Sequence, residues 1–123
     1  LKNHWIVTEA VFQLAEGEEA AIREKMNTLA EQRREKQPLQ YPSAGSTFKR
    51  PEGYFAGKLI MDAGLRGYRA GGAQVSEKHC GFVINSGEAT ASDIRRLMEE
   101  VIAEVERQFG VTLEPEVKML GEF

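Results

Sequence analysis

The most regular spacing of apolar residues in the chain is helical. In TASDIRRLMEEVIAEVERQFG, residues Ile94, Leu97, Met98, Val101, Ile102, Val105 and Phe109 recur at steps of three and four. That spacing gathers them on one stripe, which reads as core. Thr90 with Asp93 three positions on has the form of a capping box, with Asp in place of the usual Glu, and Gly110 is a natural stop. A second helix is expected over residues 16–36, EGEEAAIREKMNTLAEQRREK, where Ile22, Met26, Leu29 and Arg33 share a face. Glu16, Glu18 and Glu19 crowd its front and Arg33, Arg34 and Lys36 its back, a polarity that complements the helix dipole; Pro38 ends it. YFAGKLIMDAG, residues 54–64, predicts a short helix with Gly64 as its left-handed stop.

Other stretches read as strands. HWIVTEAVFQL, residues 4–14, is β-branched and aromatic with apolar residues on both alternating faces, so a strand buried on both sides is expected. GGAQVS and CGFVIN predict two short strands, with SEKH in or near their connection. VTLEPEVKML predicts a closing strand, with Pro115 marking a sheet edge or the strand's beginning. Interleaved helices and strands on one chain give an α+β fold, a two-layer sandwich with helices packed on one face of a small sheet.

Composition narrows the function. A chain of 123 residues, 41% of them hydrophobic, fits one globular domain. A formal net charge of -3 argues against broad nucleic-acid binding. No apolar run approaches the length of a membrane span, and the start lacks a signal-peptide pattern. The single cysteine, Cys80, permits no internal disulfide and points to the cytoplasm; with two histidines it makes no credible metal set.

Three segments carry candidate chemistry. In AGSTFKRP, Gly45 permits a tight turn, Ser46 offers a hydroxyl, and Lys49 and Arg50 offer cations for anionic oxygens. Those residues leave a phosphate grip, a catalytic hydroxyl and a plain turn all open. The segment is neither a Walker A loop nor a nucleophile elbow. GLRGYRAGGAQ, residues 64–74, holds Arg66 and Arg69 and a Gly-x-x-Gly at 64–67, the loop pattern of a KH nucleic-acid module, but no dinucleotide fingerprint. In LEPEV, Glu114 and Glu116 alternate onto one face. His79 is a possible ligand contact and Cys80 reads as a buried thiol.

Taken in order, IVTEAVFQL, AGSTFKRP, GGAQVSEKH, the long helix and LEPEV resemble the C-terminal part of the UDP-N-acetylenolpyruvoylglucosamine reductase family, bacterial flavoenzymes also called UDP-N-acetylmuramate dehydrogenases. The uninterrupted run from Pro51 to Gly64 is similar to the shorter family type. The resemblance implies that residues 1–123 are the substrate-binding domain of a larger enzyme whose FAD-binding domain is absent from this chain. It implies the reduction of UDP-N-acetylglucosamine enolpyruvate by NADPH through FAD, in cytoplasmic peptidoglycan synthesis. Ser46 matches the family's proton donor and Glu116 its second catalytic residue. A third catalytic residue, an arginine of the flavin domain, has no match here. Arg50 and Arg66 fall near the family's diphosphate contacts, with Lys49 and His79 as further substrate-binding candidates. No residue is assigned to the cofactor. The chain alone is expected not to turn over substrate. Two alternatives are a non-catalytic nucleotide-sugar-binding module and a KH-like binder.

Overall fold

The computed structural model describes residues 7–121, and the chain forms two compact units, residues 1–31 and 32–123. In the first, residues 7–18 carry no regular secondary structure, and Val7, Val11, Phe12 and Leu14 are all more than three-quarters exposed. This corrects the expected strand over 4–14, of which residues 4–6 lie outside the described residues. A strand needs a neighbour for its backbone groups, and among the described residues none pairs with this segment. Helix α1 spans Glu19–Lys36, with Glu19 in its first turn and Arg33, Arg34 and Lys36 in its last. Its expected apolar face is present in sequence but uncovered: Ile22, Met26 and Leu29 are exposed.

The second unit holds the α+β fold. Helix α2 (Ala56–Asp62) leads through a turn into strand β1 (Arg69–Ala70), then β2 (Ala73–Val75), β3 (Val83–Asn85) and helix α3 (Ala91–Phe109). The three strands form an antiparallel sheet in the order β1-β2-β3, and α3 packs against all three and against α2. The residues Gly71 and Gly72, expected to open a strand, instead form the two-residue turn of a hairpin that pairs Ala70 with Ala73. Paired glycines favour such a turn, and β1 was therefore hidden in front of it.

The long stripe is core as expected. Leu97, Met98, Val101 and Val105 are buried, with Ile94 and Ile102 packed beside them. The capping box is made in both directions: Thr90 Oγ1 accepts from Asp93 N–H at 3.1 Å, and Asp93 Oδ2 accepts from Thr90 N–H at 3.0 Å. Gly110 closes the helix in the left-handed region at φ 66°. Helix α2 ends on Gly64, φ 78°, whose N–H bonds Met61 O while Leu65 N–H bonds Ile60 O. That pair of bonds is a Schellman motif, and it buries Leu65 and Ile60 in the core.

The closing segment is extended but is not a strand. Its one pairing is an isolated antiparallel bridge between Phe48 and Pro115. Lys49 N–H donates to Glu114 O at 2.8 Å and Glu116 N–H to Thr47 O at 2.9 Å, so the pair itself exchanges no bonds. Proline is tolerated there because its missing N–H is not asked for. Leu113 is buried, and Val111 and Val117 pack on the core.

Candidate functional site

The segment at residues 43–49 runs along the free side of β3 and is fixed there by Thr47. Its N–H donates to Gly81 O at 2.8 Å, its Oγ1 accepts from Val83 N–H at 2.8 Å, and its carbonyl receives Glu116 N–H. Thr47 is 2% exposed, so one buried residue joins the sheet to the closing segment. A chain held this way sends alternate side chains to opposite faces. Ser46, Phe48 and Arg50 accordingly line one cavity while Thr47 and Lys49 do not. Gly45, at φ 85°, supplies the left-handed turn that leads into this run.

The cavity has a volume of about 420 Å³. Besides Ser46 and Arg50 it takes Arg66 and His79 from the sequence-derived candidates, and Lys58 and Lys78 join them. No Asp or Glu lines it, although acidic residues outnumber basic ones in the whole chain. The cations are held in different ways. Lys58 pairs with Asp62 at 2.7 Å. Lys78 bonds the Arg34 carbonyl, and Arg66 bonds the Glu77 carbonyl and lies 3.0 Å from Met61 Sδ. Arg50 rests over the Phe55 ring, 4.1 Å from its centroid. Among the described residues no carboxylate pairs with Arg50, Arg66 or Lys78. Such a setting favours an anionic ligand, with guanidinium edges suited to phosphate oxygens.

His79 is held by its neighbours. Its Nδ1 accepts from Gly81 N–H at 3.1 Å, which leaves Nε2 as the protonated nitrogen of the neutral ring. Phe82 meets it edge-on at 5.0 Å. Cys80 also lines the cavity, its thiol pushed up in pKa chiefly by burial.

The remaining candidates lie outside the cavity lining. Lys49 pairs with Glu114 at 2.8 Å, a bond that raises the lysine and lowers the carboxyl. Glu116 adds a smaller electrostatic lift to Lys49. Glu116 is tied by its own N–H to Thr47, the residue after Ser46. The Gly-x-x-Gly at 64–67 is used internally: Gly64 N–H caps α2 and Gly67 N–H bonds Val75 O at 3.1 Å, leaving neither amide for a phosphate. Sequence reasoning passed over Lys58, Lys78 and Phe55. Lys58 and Phe55 are masked by the apolar helix around them; Lys78 had a cue in its place beside His79.

Comparison with known proteins identifies the family. Residues 37–120 match the family described as UDP-N-acetylenolpyruvoylglucosamine reductase, C-terminal domain. A protein of that reductase name from Lachnoclostridium phytofermentans is 63% identical over 98% of this chain, and one from Agathobacter rectalis 65% over 97%. The chain spans only 39% and 38% of those two relatives. A solved UDP-N-acetylenolpyruvylglucosamine reductase from Thermus caldophilus superposes with a TM-score of 0.68 at 36% identity, covering 85% of this chain and 37% of that one. These matches lead to one conclusion: the chain belongs to the C-terminal domain family of UDP-N-acetylenolpyruvoylglucosamine reductase.

Proposed function

We propose that this chain is the substrate-binding part of an FAD-dependent reductase that uses NADPH to convert UDP-N-acetylglucosamine enolpyruvate to UDP-N-acetylmuramate, in cytoplasmic peptidoglycan synthesis. The observation that carries the proposal is the cavity that gathers Ser46, Arg50, Arg66 and His79 with no carboxylate in its wall. The donor set fits a diphosphate. None of its residues is assigned to the flavin, and the chain spans only 39% and 38% of the two relatives. When bound, the flavin supplies a hydride to the methylene carbon of the enolpyruvyl group.

The chain's own residues then manage charge and proton. Negative charge develops as an enolate beside the substrate carboxylate. Arg50 and Arg66 hold the diphosphate and so fix the enolpyruvyl end near Ser46. The Ser46 hydroxyl delivers its proton to the enolate carbon; a hydroxyl is a weak acid, but the carbon is a strong base in a dry site. Ser46 Oγ lies 3.4 Å from Phe48 O, a loose contact that leaves the hydroxyl able to turn. Glu116 lies outside the cavity's lining, and its part in assisting the enolic intermediate is what the family resemblance implies.

The test is Ser46→Ala in the intact reductase. Flavin reduction by NADPH should stay near the wild-type rate. The later oxidation of reduced flavin by substrate should fall by roughly 10²-fold or more. An equal fall in both half-reactions in a folded protein refutes the proton-donor role.

A further inference from the structure

Arg50 is the cavity cation whose hydrogen-bonding edge is least engaged. Arg66 spends donors on a carbonyl and a sulfur, Lys78 on a carbonyl, and Lys58 on a carboxylate. Arg50 has no hydrogen-bond partner among the described residues, yet its guanidinium lies 4.1 Å above the Phe55 ring. A guanidinium held over a ring face leaves its N–H groups free to bond elsewhere. Phe55 gains little for itself from the contact, since it is 60% exposed. It sits just before α2, at the N-cap position, where its side chain makes no capping bond. Singly exposed apolar side chains are ordinary; what sets Phe55 apart is that its ring lies under the Arg50 guanidinium at the cavity wall.

From this geometry we infer that Phe55 is a positioning residue: its ring holds the Arg50 guanidinium edge-on to the cavity, preorganised to grip a phosphate of the ligand. The inference rests on reading the cavity as a diphosphate site and adds to it the residue that sets its least engaged donor. Without the ring, Arg50 is a long side chain that must be ordered at the moment of binding, and the affinity falls by that amount.

The experiment titrates UDP into the full chain at low salt, by calorimetry, for wild type, Phe55→Leu, Phe55→Trp, Arg50→Gln and the Phe55→Leu/Arg50→Gln pair. Phe55→Leu should weaken binding about fivefold, the size expected of a partly desolvated cation–π contact. Phe55→Trp should restore it, because any aromatic face serves. In the Arg50→Gln background, Phe55→Leu should change nothing further. If Arg50→Gln weakens UDP binding but Phe55→Leu does not, the positioning role is wrong and the anion site stands. Equal losses from Phe55→Leu with or without Arg50 also overturn it, since a merely structural ring acts that way. No saturable binding by the wild-type chain removes both the site and the inference. Should Phe55→Leu unfold, proton NMR of the unmodified chain decides: ring-current upfield shifts of the Arg50 δ-methylene support the stack, and ordinary shifts refute it.

Discussion

At the scale of single residues, neighbours in sequence do unlike things. Lys49 and Arg50 look equivalent as adjacent cations, but the extended backbone turns Arg50 to the cavity and Lys49 to Glu114. Candidate residues were legible as chemical types; which side of the backbone each faced was not, because that depends on the hold of Thr47 on β3. The α3 cap was legible, since its reciprocal bonds join residues three apart. Thr90→Ala should cost about 1 kcal/mol of stability, measured by denaturant unfolding. The Asp93 carboxyl is held below its usual range, chiefly by the backbone and side chain of Thr90. Glu104 is pulled down to about 2, chiefly by Arg107 and Gln108. A carboxyl whose folded pKa is depressed adds stability that is present above its unfolded value and lost as pH falls through the folded one. Unfolding midpoints should therefore decline from the ordinary carboxylate range down to about pH 2, and the decline should be shallower in Asp93→Asn. Both groups remain partly open to solvent, which screens them, so the effect is small.

At the scale of elements, long periodic segments could be read and short or partner-dependent ones could not. Helix α3 carries a seven-residue stripe whose centre is the core of the unit, and its start and stop are local signals. Leu97, fully buried, should cost about 3 kcal/mol on replacement by Ala, whereas Phe109→Ala at the half-exposed end should cost well under half of that, by thermal or urea unfolding. The strands are two or three residues long, below the length at which alternation declares itself. Residues 7–14 have strand composition but, among the described residues, no neighbour to pair with. Composition expresses a preference, whereas a strand is a relation between two segments, and no single segment reveals its partner.

At the scale of the whole molecule, every buried hydrophobic side chain among the described residues lies between Phe48 and Leu113. The bridge at Phe48 and Pro115 has a further consequence. In such a pair the backbone groups of Pro115 itself point away from Phe48, toward the open margin of the sheet. A ring nitrogen there cannot zip onto an incoming chain, so the margin resists docking by stray β-segments. Pro115→Val should restore that amide and make the protein clump as its concentration rises, visible as growing light scatter while the fold stays intact.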